Sequence, residues 1–122
     1  MRKKYLYIDD SRGDRVLAAR ALRGAADVTC VASAAEGLAL LAGGRFDLVI
    51  SDVMMPGGDG LELARALAGS GTPLVLASSV PALTSFEGYT GLGGYLGFVL
   101  KPVDAEKVEQ LAARPRPAGG GA

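Results

Sequence analysis

The stretch that decides the fold reads Phe46-Asp-Leu-Val-Ile-Ser-Asp52-Val-Met-Met-Pro-Gly-Gly-Asp-Gly60. Its apolar run, Leu48 to Ile50, is followed by Asp52, and a short run of this kind predicts a buried strand. Proline and glycines then break the chain, and the apolar spacing from Leu61 to Leu67 predicts a helix. Asp52 therefore lies where a strand meets solvent, which is the edge of an open α/β sheet that carries chemistry.

The rest of the chain repeats this alternation of strand and helix. Ser11 with Asp14, and Ser33 with Glu36, resemble capping boxes that open two helices, and Asp104 is a suitable N-cap for the last one. The other predicted strands are Lys4 to Asp9, Asp27 to Val31, Leu74 to Ala77 and Leu96 to Leu100. Five strands alternating with five helices predict an α/β fold with a doubly wound parallel sheet, and the flavodoxin-like strand order is 2-1-3-4-5.

Length and charge limit the classes of function. The 122 residues are enough for one domain, and 13 basic residues balance 13 acidic ones, so we expect no nucleic-acid or membrane partner. Residues 1–113 are expected to form the domain. Residues 114–122, rich in proline and glycine, are expected to be a flexible tail or linker.

The residue types that are rare or missing narrow the chemistry. The sequence has no histidine, which excludes His-ligated zinc and a Ser-His-Asp triad. Its single cysteine, Cys30, is expected to be a small buried apolar residue in a reducing compartment. The apolar run after the basic amino terminus is stopped by Asp9 and Asp10, too early for a signal peptide or a membrane span. We therefore expect a cytoplasmic protein.

The predicted strand order brings together residues that are far apart in sequence. Strands one and three are neighbours, so Asp9, Asp10 and Asp52 meet at one edge, and Ser78 and Lys101 arrive from strands four and five. Clustered carboxylates repel one another, and Mg²⁺ with its preference for oxygen ligands relieves that repulsion. With a metal, a lysine and a hydroxyl beside it, Asp52 is a candidate nucleophile toward phosphorus, with an aspartyl phosphate as product.

Each of these features also has an ordinary structural explanation. Asp9 and Asp10 suit a solvated strand end, Ser78 a turn, and Lys101 with Pro102 a strand terminus. Four strand ends of one sheet rarely carry complementary phosphate and metal chemistry by accident, so the combination indicates a site.

With these residues in place, residues 3–113 resemble a response-regulator receiver domain of bacterial two-component signalling. The motifs that carry the resemblance are Ile8-Asp9-Asp10, Asp52 to Gly60, Pro73 to Ser78, and Lys101-Pro102. The resemblance implies that Asp52 accepts a phosphoryl group from a sensor histidine kinase or phosphotransfer protein, and that a downstream protein, still unknown, responds.

The resemblance also implies roles for the other residues. Mg²⁺ would be held by Asp9, Asp10 and Asp52, and by the backbone carbonyl of Met54. Lys101 and Ser78 would assist the acceptor. Ser78 with Phe98, which stands at the position of the family's switch aromatic, would transmit the change. The chain is then a phosphorylation switch and not an enzyme.

The sequence departs from the family pattern in one region. The segment 82–94, where the family has its fourth helix, contains four glycines, and each interior glycine costs a helix about 1 kcal/mol relative to alanine. Tyr95 stands where the family usually has a small residue. These differences bear on the output surface more than on the acceptor chemistry.

Three alternatives remain at this point. The chain could be a constitutive interaction domain that has lost regulated phosphotransfer, although Asp52, Ser78 and Lys101 argue against it. A flavodoxin-like cofactor binder needs a phosphate loop after strand one, where Asp9 and Asp10 would repel phosphate. An aspartate-nucleophile phosphatase needs an Asp-x-Asp pattern on strand one, which Asp9-Asp10-Ser11 does not provide.

Overall fold

The computed structural model describes residues 2–53, 63, 65–67, 71–79 and 95–113, without the side chain of Tyr95. Several expectations lie outside these residues. They are the backbone of Met54, most of the helix after Asp52, the glycine-rich segment 82–94 and the tail 114–122.

Five parallel strands form one sheet in the order β2-β1-β3-β4-β5. The elements, in chain order, are β1 (Lys3–Ile8), α1 (Arg12–Leu22), β2 (Ala26–Val31), α2 (Ala34–Gly43), β3 (Leu48–Asp52), β4 (Leu74–Ser78), β5 (Tyr95–Leu100) and α3 (Ala105–Ala112). Leu63 and residues 65–67 are also helical. The flavodoxin-like fold predicted from the sequence is confirmed. In the part of the chain described, no helix has the length and apolar character needed to cross a membrane.

The helices begin at the residues that the sequence marks as caps. The Ser11 hydroxyl accepts the N–H of Asp14 at 3.3 Å, and the Ser33 hydroxyl accepts that of Glu36 at 3.2 Å. The Asp104 carboxylate accepts the N–H of Lys107 at 2.8 Å. Each bond satisfies one of the backbone donors that the first turn of a helix leaves without a partner.

Alternate residues of the strands pack on opposite faces of the sheet. On β1, Tyr5 and Tyr7 join the core that includes Leu22 of α1 and Val108 of α3. Leu6 and Ile8 join the second core, which includes Leu63, Leu67 and the central strand residues Val49 and Leu76. β3 and β4 are buried along their whole length. This alternation places the Tyr7 ring on the sheet face that α1 and α3 cover.

Helix α1 turns a different side to the sheet than its apolar spacing predicts. The spacing of Val16, Ala19 and Leu22 predicts that they share the apolar, buried side of the helix, but Val16 is 44% exposed. Ala18 and Leu22, four residues apart, are the buried pair. Leu17 is also exposed, so the spacing alone did not determine which stripe faces the core.

Cys30 is half-buried, not fully buried as expected. Its thiol donates a weak hydrogen bond to the carbonyl oxygen of Arg15 at 3.7 Å. Burial raises the pKa of the Cys30 thiol, while the charge of Arg15 acts in the opposite direction and lowers it. The thiol therefore lacks the thiolate character of reactive cysteines.

A bulge in β5 was not foreseen. Leu74 pairs with Tyr95 and Val75 with Gly97, so Leu96 is the extra residue. Gly97 has φ of +141°, a conformation that side chains other than glycine's rarely adopt. Beyond the bulge the register brings Leu100 beside Ser78, and the N–H of Lys101 donates to the Ser78 carbonyl at 2.8 Å. The bulge therefore sets where Lys101 leaves the sheet.

Close packing of α2 on β1 makes Gly37 sensitive to substitution. A Cβ at Gly37 would lie 2.5 Å from Cδ1 of Ile8, whereas one at Gly43, on the same helix, would have nothing within 4 Å. Because Ile8 is fully buried, we expect Gly37→Val to lower the free energy of unfolding by about 1–3 kcal/mol relative to Gly43→Val. Urea unfolding of both variants measures this difference, and equal stabilities would contradict the tight contact.

Candidate functional site

Three carboxylates meet at the carboxyl edge of β1 and β3. Asp9 and Asp10 follow β1, Asp52 is the last residue of β3, and the two strands are adjacent. One oxygen of each carboxylate lies within 4.8 Å of the other two. The residues are thus grouped as the strand order predicts, although Asp9 and Asp52 are 43 positions apart in the sequence.

Asp9 is fully buried and holds its orientation through several donors. Its Oδ1 accepts the N–H of Ser11 at 3.0 Å, and its Oδ2 accepts the hydroxyl of Tyr7 at 2.8 Å. Arg15 donates to the Asp9 backbone carbonyl at 2.8 Å. A buried carboxylate needs such donors, because desolvation without them is costly.

Lys101 brings positive charge into the cluster. Its Nζ lies 2.7 Å from Oδ2 of Asp9, 2.9 Å from Oδ2 of Asp14 and 3.3 Å from Oδ1 of Asp52. Burial by itself lowers the pKa of Lys101, but these carboxylates outweigh burial and raise the pKa above its ordinary value. Lys101 is therefore a permanent cation at neutral pH.

Tyr7 and Asp14 are members of the site that the sequence analysis missed. Tyr7 belongs to the apolar run of the first strand. Side chains two positions apart on a strand point to the same face of the sheet, so the spacing of Tyr7 and Asp9 was the signal that could have placed Tyr7 at the site. Asp14 was interpreted as the partner in a capping box with Ser11. That interpretation is half wrong: Ser11 does cap the helix, but the Ser11 N–H is bonded to Asp9, and the carboxylate of Asp14 pairs with Lys101.

The remaining predicted residues flank the cluster. Ser78 is buried at the end of β4, one position beyond the residue that pairs with Asp52. Phe98 of β5 is half-buried and packs against the core that contains Leu76. Met54, expected to offer a backbone carbonyl to a metal, lies outside the described residues.

The donor set fits a hard divalent cation. Mg²⁺ takes oxygen ligands at about 2.0–2.1 Å, so ligand oxygens around it lie about 3–4 Å apart. The oxygens of Asp9, Asp10 and Asp52 approach this spacing, since all lie within 4.8 Å of one another. Asp10 is exposed and Asp9 is buried, so the cluster is open to solvent at Asp10 and enclosed by the protein interior at Asp9. Waters can complete the coordination from the open side.

Tyr7 is expected to make stability fall at high pH. Burial, and then the hydrogen bond to Asp9, raise the pKa of Tyr7 well above its ordinary value of about 10. Below pH 10 the Tyr7 hydroxyl keeps its proton in both the folded and the unfolded protein. Above pH 10 the unfolded state releases it and the folded state does not, so the free energy of unfolding falls by up to about 1.4 kcal/mol per pH unit.

Tyr7→Phe tests this expectation. At pH 7 in metal-free buffer the variant should be less stable by about 1.5–3 kcal/mol, because a buried hydrogen bond to a carboxylate is lost. The difference should narrow as the pH rises above 10, because phenylalanine has no proton to release. Urea unfolding from pH 7 to pH 11 measures both curves, and a difference that stays constant with pH would be inconsistent with a raised Tyr7 pKa.

Comparison with known proteins finds one family along most of the chain. The family model of the response regulator receiver domain matches residues 6–113. The transcriptional regulatory protein YkoG of Bacillus subtilis, itself uncharacterized, is 38% identical over 94 residues, which are 75% of this chain and 39% of YkoG. The DNA-binding response regulator MtrA of Mycolicibacterium smegmatis is 31% identical over 119 residues, which are 95% of this chain and 50% of MtrA.

Solved structures show the same likeness. The chemotaxis response regulator CheY4 of Vibrio cholerae superposes with a TM-score of 0.80 at 25% identity, covering 91% of this chain and 99% of that one. A response regulator receiver protein of Pseudomonas putida gives a TM-score of 0.76 at 25% identity, covering 91% of this chain and 95% of that one.

The relatives also bear on the partners expected from the sequence. This chain spans 50% of the length of MtrA and 39% of the length of YkoG. MtrA is named as a DNA-binding protein. The expectation that the protein has no nucleic-acid partner, which rested on the balanced charge, is therefore not supported.

Proposed function

Because the chain belongs to the response regulator receiver domain family, we propose that it is a switch in which Asp52 accepts a phosphoryl group in an Mg²⁺-dependent reaction. The donor is a phosphohistidine on a sensor histidine kinase or a phosphotransfer protein. The observation that carries the proposal is the position of the Lys101 ammonium between Asp9 and Asp52, in a cluster of three carboxylates.

Exposure and contacts favour Asp52 as the acceptor among the three acids. Asp9 has no exposed surface, and both of its oxygens are engaged by donors, so phosphorus cannot approach it. Asp10 is exposed, and among the described residues Lys101 forms its ion pairs with Asp9, Asp14 and Asp52. Asp52, 8% exposed, combines access with a cation at 3.3 Å.

The proposed reaction is a displacement at phosphorus. A carboxylate oxygen of Asp52 forms the new P–O bond, the P–N bond to the imidazole breaks, and the imidazole keeps the electron pair and takes a proton from solvent. Lys101 remains protonated and stabilises the charge on the phosphoryl oxygens. Bound Mg²⁺, held by Asp9, Asp10, Asp52 and the carbonyl of Met54, would neutralise the remaining charge on those oxygens.

Ser78 and Phe98 are the proposed route from the acceptor to the surface. Ser78 ends β4 and its carbonyl accepts the N–H of Lys101, so the ends of β4 and β5 are joined at the site. Phe98 lies three residues before Lys101 on the same strand and is only half-buried. A change at Ser78 on phosphorylation therefore has a short path to a side chain that a downstream protein can contact.

The experiment that tests the proposal is intact mass spectrometry with and without acetyl phosphate and Mg²⁺. We expect a gain of one phosphoryl group that requires the metal and is removed by base. Asp10→Ala should retain the fold and slow labelling at limiting Mg²⁺, because an exposed ligand is lost. A chain that takes no phosphoryl group would instead favour the constitutive interaction domain, and an unchanged Mg²⁺ dependence in Asp10→Ala would remove Asp10 from the metal site.

A further inference from the structure

Asp14 makes a contact that its place in the helix does not require. It lies in the first turn of α1, where its backbone N–H is capped by Ser11. Its carboxylate crosses to Lys101, 87 residues away in sequence, and lies 2.9 Å from the ammonium. Three carboxylates, those of Asp9, Asp14 and Asp52, thus surround a group with three N–H donors. Within the described part of the chain, these three carboxylates are the ion-pair partners of the Lys101 ammonium.

The three partners differ in how easily they can release the ammonium. The side chain of Asp9 is 0% exposed and that of Asp52 is 11% exposed, whereas that of Asp14 is 35% exposed. Breaking a buried ion pair leaves a desolvated charge, but water can replace a partner at a partly exposed carboxylate. Of the three ion pairs, the one between Asp14 and Lys101 therefore requires the least free energy to break.

A phosphoryl group on Asp52 brings new anionic oxygens close to Lys101, whose ammonium lies 3.3 Å from Oδ1. Because the ammonium has three N–H donors and three carboxylates already lie around it, a contact with those oxygens is made at the expense of one carboxylate, and Asp14 is the partner that solvent replaces most easily. We infer that Asp14 is a positioning residue that holds Lys101 in the resting state and competes with the phosphoryl group for it. This inference rests on the proposed function of Asp52.

Labelling kinetics test the competition. At saturating Mg²⁺, Asp14→Asn should be phosphorylated by acetyl phosphate about two- to fivefold faster than the parent, the factor that corresponds to a partly exposed ion pair. Asp14→Glu, which keeps the charge, should stay near the parent rate. The matched control is Glu109→Gln, which removes an exposed charge on α3 that interacts with Tyr5, two residues further from the site along β1 than Tyr7. A rate for Asp14→Asn equal to or below that of the parent overturns the competition.

A double-mutant cycle tests the contact without any phosphoryl transfer. In metal-free buffer, Asp14→Asn should raise the unfolding equilibrium constant about two- to fivefold when Lys101 is present, because the ion pair is lost. In the Lys101→Met background the same substitution should have a smaller effect or the opposite one, because the carboxylate then has no ammonium to pair with and repels Asp9 and Asp52. The helix-terminal effect of Asp14 is the same in both backgrounds and cancels. Equal effects in both backgrounds would show that Asp14 does not hold Lys101.

The two experiments separate this inference from the proposed function. A parent protein that takes no phosphoryl group contradicts the proposed function and the competition together. A parent that is labelled, with an Asp14→Asn variant labelled no faster, overturns the competition alone.

Discussion

Asp52→Asn is expected to abolish labelling by acetyl phosphate and Mg²⁺ while leaving the fold intact. The amide has nearly the shape of the carboxylate but lacks the anionic oxygen that attacks phosphorus. Lys101 keeps its contacts with Asp9 and Asp14, so the ammonium is not left without a counter-charge. Intact mass after a fixed incubation measures the effect, and circular dichroism checks the fold.

The matched control for Asp52→Asn is Asp27→Asn. Asp27 is 65% exposed in its side chain and pairs with Arg2 at the surface, so this variant removes one carboxylate far from the cluster. It should be labelled like the parent. If Asp52→Asn still gained a phosphoryl group, the acceptor would be another residue, and peptide mapping would distinguish Asp10 from the rest.

Lys101→Met is expected to cause the largest loss of stability among the substitutions at the site. Methionine keeps an unbranched apolar stem but removes the charge, which leaves buried Asp9 beside Asp52 with no cation between them. Removing one partner of a buried pair typically costs about 3–5 kcal/mol. Because Tyr7 and Ser11 still donate to Asp9, we expect the free energy of unfolding to fall by about 3 kcal/mol at pH 7 in metal-free buffer.

Added Mg²⁺ should restore part of the stability of Lys101→Met and affect the parent less, because the metal and the ammonium neutralise the same carboxylates. Urea unfolding with and without Mg²⁺ measures both effects. Lys107→Met is the control, since Lys107 is 56% exposed and pairs with Asp104 at 3.8 Å, and its loss should cost less than about 1 kcal/mol. Equal costs for the two lysine substitutions would mean that the Lys101 pairs contribute little.

Much of the fold and part of the site were predictable from local sequence. Buried β-forming runs such as Leu48–Ile50 predict strands wherever they occur, and caps such as Ser33 and Asp104 mark where helices begin. Alternation of the two element types then favours a parallel sheet. In such a sheet, residues that end adjacent strands meet at one edge, which is why the proximity of Asp9 and Asp52 followed from their places in the chain.

Only the tertiary structure decided which side chains complete the cluster. Periodicity shows that a helix has an apolar stripe but does not determine its rotation against the sheet, so Val16 was expected inside and lies outside. The same rotation turns Asp14 toward Lys101, so its carboxylate forms an ion pair across the fold in place of the second bond of a capping box. The bulge at Leu96 likewise moves the end of β5 by one residue.

Local structure was predictable and the side-chain contacts of the site were not, because the interactions that determine them act over different separations in the sequence. Strand and helix formation, capping and turn residues depend on neighbours within a few positions, and these neighbours are visible in the sequence. The ring of donors and acceptors around Lys101 depends on angles and distances of a few ångströms between β1, α1, β3 and the end of β5. Those distances arise only when close packing on both faces of the sheet holds the elements together.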